Sequence, residues 1–184
     1  MSSIEVDKIV PATGTSLTLG DSGDTFTIPS GVTLTNNGTA TGFGGGKIGQ
    51  VVQVVKTDTF STTSTSYVDI TGLSLSITPS STSSKVLINV SGVGGNDASH
   101  TRCSLKLLED STGIVEHAVG VATDSQLAGF AINYLSSPNT TSSLTYKLQL
   151  RMDLAGGSGS MINRSFSDSN VKGITTITLT EVLA

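Results

Sequence analysis

Apolar and polar residues alternate along much of this chain, so that apolar side chains recur at i, i+2 and i+4 over short runs. Gly, Ser, Asn and Pro interrupt these runs at intervals of roughly 8 to 12 residues, a spacing typical of β-strands joined by turns. Apolar residues with the period of an amphipathic helix are nearly absent. The pattern therefore predicts an all-β protein that is rich in hairpins.

The alternation is longest and most regular from Ile48 onward. Strands are predicted there at residues 48–56, 58–70, 73–78, 85–93, 102–109, 113–122, 127–136, 143–153, 160–167 and 173–182. A succession of strands without an intervening helix predicts a β-sandwich of the jelly-roll type, in which each sheet buries one face.

The parity of the apolar positions identifies the face that each strand would bury. The predicted inward residues are Leu73, Leu75, Ile77, Val86, Ile88, Val90, Leu105, Leu107, Leu144, Tyr146, Leu148, Leu150, Ile174, Ile177 and Leu179. The alternation slips between Ile174 and Ile177, which predicts a β-bulge near Thr175 and Thr176. The opposite faces contain mainly Ser and Thr, which form strands well and have no charge.

The first 40 residues differ, because their apolar positions are sparse and their runs are short. Turns are predicted at residues 11–14, 20–24, 29–31 and 36–38. So few apolar residues cannot offset an ordering entropy of roughly 1–2 kcal/mol per residue. We therefore expect an extended β segment that becomes ordered only against copies of itself or another surface. The residues expected to dock in this way are Ile4, Val6, Ile9, Leu17, Leu19, Phe26 and Ile28.

A Gly-rich run separates the two parts and reads as a flexible hinge. The predicted organisation is a docking segment at residues 1–40, a hinge at 41–47 and a sandwich at 48–184. The run GFGGGK within the hinge does not match a phosphate-binding loop. Thr41 and Ile48 stand where that motif requires a glycine and a hydroxyl residue.

Composition and charge narrow the classes of partner. The chain of 184 residues has 10 Lys and Arg residues against 14 Asp and Glu residues, and its formal net charge is -4. Ten dispersed basic residues cannot neutralise a run of phosphates, which argues against nucleic acid or an anionic membrane as the main partner. No stretch approaches the roughly 18 apolar residues of a membrane helix, and the N-terminus has no signal-peptide pattern, so we expect no membrane insertion and no Sec export.

The residues that could perform chemistry are few. His100 and His117 are the only histidines, and neither has a second histidine within four positions, so no local metal-ligand pair exists. His117 reads as a core or interface imidazole, with the alternative that three symmetry copies hold a metal on a threefold axis. Cys103 shares its parity with inward leucines and reads as a buried hydrophobe. Asp21 and Asp24 read as a polar turn, with a calcium site as the alternative.

No nucleophile elbow or other local catalytic signature is present in the sequence. We therefore predict a structural or binding protein without a cofactor, not an enzyme. A glycan-degrading spike enzyme is disfavoured, because paired acidic residues on a repetitive β-helix are not visible.

Two stretches of the chain resemble segments of known proteins. Residues 4–45, IEVDKIVPATGTSLTLGDSGDTFTIPSGVTLTNNGTATGFGG, resemble the N-terminal segments of virion fibre and structural proteins of tailed phages, particularly phages of marine cyanobacteria. Residues 46–92, which include KTDTFSTTSTSYVDITGLSLSITPSSTSSKVLI, are similar to the opening of a β-rich module in the same phage proteins.

The resemblance implies a homotrimeric virion appendage that docks through its N-terminal segment on a capsid or tail protein and presents the sandwich outward. Podophage tail fibres commonly begin with a sizeable adaptor domain, for which this chain has no room. A head fibre or capsid decoration protein is therefore favoured over a short tail fibre or tail-tip adhesin. The resemblance implies no catalytic residues.

An adhesin would bind a host-surface glycan or protein through aromatic, charged or amide residues in its turns. The candidates are Asn96, Asp97 and His100 in one predicted loop, Asp124 and Gln126 in a second, and residues 163–168 in a third, with Arg164 and Phe166 as anchors. The alternative for each of these residues is an ordinary solvated loop.

Overall fold

The computed structural model describes residues 9–11, 13–33, 35, 37, 47–96, 102–120, 127–153, 159–165 and 172–183. The chain divides into two units, Met1–Gly45 and Gly46–Ala184. In the first unit, the described residues form turns and irregular backbone, with neither helix nor strand. In the second unit, they form ten β-strands and no helix. The all-β prediction is therefore confirmed. Across the described ranges, no helix has the length and hydrophobicity to cross a membrane.

The strands of the second unit form two antiparallel sheets. They are β1 (Ile48–Lys56), β2 (Phe60–Thr62), β3 (Val68–Ile77), β4 (Lys85–Asn96), β5 (Arg102–Glu109), β6 (Thr112–Gly120), β7 (Leu127–Ser136), β8 (Leu144–Met152), β9 (Ser160–Ile162) and β10 (Thr175–Val182). Sheet A has the order β1-β10-β4-β9-β2, and β7 pairs with the other edge of β4. Sheet B has the order β3-β8-β5-β6.

The eight longer strands pair from the outside inward along the chain. The first pairs with the last (β1 and β10), the second with the seventh (β3 and β8), the third with the sixth (β4 and β7), and the fourth with the fifth (β5 and β6). This is the pairing of one long hairpin rolled into two sheets, which is the jelly-roll arrangement. The predicted sandwich is confirmed.

The core lies between the two sheets. Sheet A contributes Val86, Ile88, Val90, Phe130, Ile132, Ile162, Ile177 and Leu179. Sheet B contributes Ile70, Leu73, Ile77, Cys103, Leu105, Leu107, Val119, Leu144, Tyr146, Leu148 and Leu150. Burial of one such side chain stabilises the fold by about 1.5–3 kcal/mol. The predicted inward residues lie in this core except Leu75, which is partly buried, and Ile174, which is exposed.

The predicted bulge near Thr175 and Thr176 is wrong. Ile174 is 57% exposed and precedes β10, which begins at Thr175. Both threonines pair with β1 in regular register. The apparent slip in the alternation marks the start of the strand, because Ile174 lies outside the sheet.

The predicted strand at 58–70 is interrupted in its middle. The Thr62 hydroxyl accepts a hydrogen bond from the Ser64 N–H at 3.1 Å, and the Ser64 hydroxyl accepts one from the Ser66 N–H at 3.0 Å. These local bonds replace strand pairing, so β2 ends at Thr62. The chain then enters β3, which passes through Gly72 with a φ of 83° and a register shift against β8.

Asn163 lies where sheet A branches, because the same edge of β4 pairs first with β10 and then with β9. This asparagine is fully buried and has a φ of 62°. Its Nδ2 donates to the backbone oxygens of Lys56 at 2.9 Å and Asp58 at 3.0 Å. Its Oδ1 accepts from the Thr175 hydroxyl at 2.7 Å. These bonds join the ends of β1, β9 and β10, and β9 ends before Asn163 instead of continuing through the predicted 160–167.

Candidate interaction surfaces

The predicted docking residues that the structure describes keep their apolar side chains in solvent. They are Ile9, Leu17, Leu19, Phe26 and Ile28, with exposed fractions between 37% for Ile28 and 69% for Phe26. Ile4 and Val6 lie outside the described residues. Exposed apolar side chains gain free energy when another surface covers them. This arrangement is compatible with docking, which stays a prediction.

A polar turn shapes the middle of this segment. The Asp24 N–H donates to the Asp21 backbone oxygen at 3.0 Å, and the Asp21 N–H donates to the Asp24 carboxylate at 2.8 Å. Gly20 and Gly23 supply the positive φ angles, at 80° and 99°. The Asp24 carboxylate thus accepts a turn hydrogen bond, as in the predicted polar turn. In the part of the chain that the structure describes, no three His, Cys, Asp or Glu residues group as a metal site.

Two ends of the sandwich can be distinguished. At the hinge end, Lys47 joins β1, and its backbone oxygen accepts from the Leu183 N–H at 2.7 Å. At the opposite, loop end, the last Cα pairs are Gly95 with Leu127, Asn96 with Ser160, and Arg102 with Gly120. The described residues that flank positions 97–101, 121–126 and 154–158 therefore lie at the loop end. Four of the candidate contacts, Asp97, His100, Asp124 and Gln126, lie outside the described residues.

Asn96 is not a surface contact, which corrects the sequence-based prediction. Its strand was predicted to end at residue 93, but β4 continues to Asn96 by pairing with β9. Asn96 is 1% exposed and its partner Ser160 is fully buried. Neither the Asn96 amide atoms nor the Ser160 hydroxyl has a hydrogen-bond partner within the described ranges.

Arg164 belongs to a different connection, between β9 and β10, which leaves sheet A at its branch point. Its side chain is partly exposed, and its Nε donates to the Ser165 backbone oxygen at 3.2 Å. Asn163 and Ser165 on either side are buried, so these two members of the predicted third loop do not face solvent. Phe166 lies outside the described residues, and its role stays a prediction.

The predicted burial of Cys103 is confirmed. Its side chain is 1% exposed in β5, and burial, together with the nearby Asp153 carboxylate, raises the pKa of the thiol to about 12. The thiol is therefore protonated at neutral pH and is a poor nucleophile. His117 is half-buried on β6, opposite Leu105.

The outer face of sheet A, which we call face A, has three central rows of directly paired residues. Across β1, β10, β4 and β7 these rows are Val51-Thr180-Leu87-Leu135, Gln53-Thr178-Asn89-Asn133 and Val55-Thr176-Ser91-Ala131. None of these residues is charged. In the middle row, Gln53 Nε2 donates to the Thr178 hydroxyl at 2.8 Å, and Asn89 Nδ2 donates to Asn133 Oδ1 at 2.7 Å. Face A is therefore an amide and hydroxyl row between two more apolar rows.

The outer face of sheet B, which we call face B, is charged. Lys147 pairs with Asp69 at 2.8 Å, and Lys106 pairs with Glu116 at 2.8 Å. Hydrogen bonds from Lys147 and then Gln149 lower the pKa of Asp69, and the bond from Lys106 lowers the pKa of Glu116. Both carboxylates are therefore ionised at neutral pH, so face B is a network of charges.

An aromatic ring lies within this network. Lys106 Nζ and Arg151 Cζ lie 4.5 Å and 4.8 Å from the centre of the Tyr67 ring, which is the geometry of cation–π contacts. The Ser104 hydroxyl donates to Asp153 at 2.5 Å, and Arg151 lies 3.6 Å from the same carboxylate. The polar groups of face B are therefore largely paired within the chain.

Two hydrogen-bonded carboxylates at the hinge end, the buried Glu181 and the half-buried Glu109, were not anticipated. Glu181 is 1% exposed and accepts from the Ser80 N–H and hydroxyl, both at 2.6 Å, and from Gln50 Nε2 at 2.9 Å. These bonds, that from the Ser80 hydroxyl above all, lower the pKa of Glu181 to about 2. The Glu109 carboxylate accepts from the Ser136 hydroxyl and, at 2.7 Å, from the Tyr146 hydroxyl. The sequence does contain a signal for the burial of Glu181, because this residue lies two positions beyond Leu179 and therefore on the same inward face of its strand.

No model of a known protein family matches this chain, and no curated protein sequence matches it. Three solved structures illustrate what it is similar to. A structure of the infectious bursal disease virus Gt strain matches with 17% identity and a TM-score of 0.42, over 85% of this chain and 43% of that chain. The PRD1 vertex protein P5 matches with 15% identity and a TM-score of 0.40, over 76% of this chain and 99% of that chain.

The infectious bursal disease virus VP2 subviral particle matches with 17% identity and a TM-score of 0.39, over 72% of this chain and 39% of that chain. This chain thus spans less than half the length of the infectious bursal disease virus chains that it matches.

Proposed function

We propose that this protein is a noncatalytic structural protein of a phage particle, a head fibre or capsid decoration protein docked by its N-terminal segment. The observation on which this rests is the exposure of the segment's apolar side chains, from 37% to 69% for the docking residues described. The resemblance of residues 4–45 to the N-terminal segments of phage virion proteins supports the same function. The protein would then be located on the virion.

Energetics explain why such a segment needs a partner. Burial of apolar surface contributes roughly 25 cal/mol per Å². Phe26 and Leu19 gain little of this free energy in the isolated chain, because their side chains are 69% and 58% exposed. A capsid or tail protein, or the same segment from other copies in a trimer, would supply the missing surface. Order in the segment would then depend on assembly.

A noncatalytic role is supported by the state of the chain's single cysteine. Cys103 lies in the core with its thiol protonated, because burial raises its pKa to about 12. The buried carboxylate of Glu181 and the half-buried carboxylate of Glu109 each accept hydrogen bonds from two other residues of the chain. These groups stabilise the fold and are not directed toward an open site.

The alternative is a short tail fibre or tail-tip adhesin. In that function, residues of the turns would contact a host-surface glycan or protein. The burial of Asn96 favours the decoration role, because it removes one candidate contact.

Particle incorporation tests the docking function. Purified phage is probed with labelled antibody by electron microscopy, using the full chain, a deletion of residues 1–44, and the double variant Leu19→Asp with Phe26→Asp. We expect both changed proteins to be lost from particles, because charge on an exposed apolar side chain opposes burial. Thr27→Asp is the matched control, since Thr27 is exposed in the same segment, and it should be incorporated normally. Normal incorporation of the deletion variant would refute the proposal.

Adsorption separates the decoration role from the adhesin. Phage with the double change Arg164→Ala and Phe166→Ala is compared with wild-type phage for the rate of binding to host cells. Unchanged adsorption by intact particles is expected for a decoration protein. Lost adsorption with intact particles would favour the adhesin instead.

A further inference from the structure

We infer that face A is the surface through which copies of this chain contact one another. The partner that this surface fits is a second copy of the same chain. This inference concerns self-association alone, and it holds wherever the protein is located.

The first argument is the contrast in charge between the two outer faces. The three rows of face A contain no charged residue, whereas face B contains the ion pairs of Lys147 with Asp69 and Lys106 with Glu116. Burial of ionised groups is costly unless each is paired with excellent geometry. Covering the three central rows removes only amides, hydroxyls and apolar groups from water, because the exposed Lys85 lies in the next row, at the hinge end of the face. Face A is therefore the less costly of the two faces to bury.

The second argument is self-complementarity. A side-chain amide has two N–H donors and one oxygen acceptor. The bond from Gln53 to Thr178 uses one N–H of Gln53, and the bond from Asn89 to Asn133 uses one N–H of Asn89 and the oxygen of Asn133. Donors and acceptors thus remain in the same row. An identical row in a second copy offers both kinds of group, so the row can pair with itself.

The apolar rows add hydrophobic burial on either side. Val51, Val55 and Leu135 are 57%, 47% and 47% exposed. The row that ends at Leu135 adjoins a cleft of about 310 Å³ at the hinge end, lined by Leu135, Val182 and Leu183 on its apolar side and by Lys47, Ser83 and Lys85 on its polar side. A Val or Leu side chain of a second copy could pack against the apolar side of that cleft.

The extent of the face is adequate. The four strands, about 4.8 Å apart and about nine residues long, span on the order of 600 Å² in projection, of which the three uncharged rows are the central part. The accessible surface is larger than the projection because side chains stand above the sheet, which brings it near the roughly 800 Å² per partner of a stable interface. A flat sheet with short side chains offers few pockets for an unrelated ligand, whereas it can stack against an identical sheet.

Thiol labelling of the full chain tests the inference. Asn133→Cys places a thiol on β7, an edge strand of face A, and Ser74→Cys places one on β3, an edge strand of face B. Both positions are exposed, and the native Cys103 is buried and should not react in the folded protein. We expect Asn133→Cys to react with a maleimide about tenfold more slowly than Ser74→Cys in a chain that is multimeric by light scattering, because an interface core excludes solvent.

Charge insertion provides the second measurement. Leu135→Lys, added to Asn133→Cys, should restore labelling to the rate of Ser74→Cys, whereas Ser76→Lys on face B should leave the protection unchanged. Equal labelling of the two thiols in the parent multimer would overturn the inference. So would a chain that is monomeric at micromolar concentration, or protection of Asn133→Cys that persists in a monomer, since the latter would mean that the chain's own residues cover face A.

Discussion

The N-terminal segment and the β-sandwich are both rich in Ser, Thr and Gly, yet among the described residues the sandwich buries its apolar side chains and the segment exposes them. Leu148 in β8 is fully buried, whereas Phe26 in the segment is 69% exposed. The sandwich strands pair with partners far along the chain, as β1 does with β10. The hydrogen bonds of the described segment are local, such as that from the Asp24 N–H to Asp21. Alternation therefore makes a core only where a second sheet covers it.

The largest expected effect on stability comes from truncating a core leucine of the sandwich, in comparison with truncating an exposed apolar residue of the segment. Leu148→Ala or Leu150→Ala should lower the free energy of unfolding by about 2–5 kcal/mol, because each removes a fully buried side chain. Phe26→Ala, in the same full-length chain at concentrations where it is monomeric, should change it by less than about 0.5 kcal/mol. Urea denaturation measures both. Similar losses for the leucine and phenylalanine variants would mean that the segment is part of the folded core.

The next largest effect on stability concerns a buried polar side chain of the sandwich. Asn163→Ala should lower the free energy of unfolding by about 2–3 kcal/mol, because it leaves the backbone oxygen of Lys56 and the Thr175 hydroxyl without their bonds at the branch point.

Asn139→Ala is the matched control, since Asn139 also has a positive φ, 52°, but is exposed and bonds only to the Ser137 backbone oxygen through its side chain. Both alanines have the same unfavourable left-handed backbone, so the difference between their unfolding free energies reports the buried bonds. An equal loss at the two positions would show that backbone conformation, and not the branch point, explains the effect.

A smaller effect depends on pH and involves Glu181. Its pKa is about 2 in the folded protein against 4.5 as its ordinary value, so the unfolded state binds the proton more readily. The stability that Glu181 contributes is fully present above about pH 4.5 and is lost as the pH falls toward 2. Glu181→Gln should therefore cost about 2 kcal/mol at pH 7 and progressively less below pH 4.5.

Denaturant midpoints measured from pH 7 to pH 2.5 provide the check. The control is Asp24→Asn, whose carboxylate accepts a backbone N–H in an exposed turn of the segment and should leave sandwich stability unchanged. A Glu181→Gln deficit that stays constant over this pH range would contradict the assigned role.

The smallest effect concerns the outer surface of sheet B. Thr145 has the opposite parity to Leu148, is partly exposed, and shares a 2.9 Å hydrogen bond with the Ser76 hydroxyl. Thr145→Ala should change the free energy of unfolding by no more than roughly 0.5 kcal/mol in urea denaturation. A loss comparable with that of Leu148→Ala would mean that outward hydroxyl pairs stabilise the sheet as strongly as its core.

Much of the fold was predictable because a strand's parity depends on its own residues. The predicted bounds of β1, β5 and β7 agree with the structure, and nearly all the predicted inward residues lie in the core. The errors in strand bounds occur where a strand pairs with a partner far along the chain, or where local side-chain hydrogen bonds replace the hydrogen bonds between strands. Local hydroxyl bonds end β2 at Thr62, and pairing with β9 extends β4 to Asn96, which thereby becomes buried.

The candidate surfaces were less predictable than the fold. The apolar composition of residues 9–28 indicated a segment that cannot bury itself, and its exposed side chains agree with that composition. The uncharged character of face A was partly visible as Ser and Thr at outward positions, but its amide row was not. Asn89 and Asn133 lie in strands far apart along the chain, and only the pairing of β4 with β7 brings them together.

The sequence by itself determined the class of the fold, the inward faces of β3, β4, β5, β8 and β10 and the sparse apolar content of the N-terminal segment, because period, parity and composition are local properties. The tertiary structure decided which strands are neighbours, where sheet A branches at Asn163, and that Glu181 is buried with hydrogen-bond donors from Ser80 and Gln50. Such features depend on contacts between residues up to 131 positions apart, as between Gln50 and Glu181. Closure of the two sheets creates those contacts, and no local pattern encodes them.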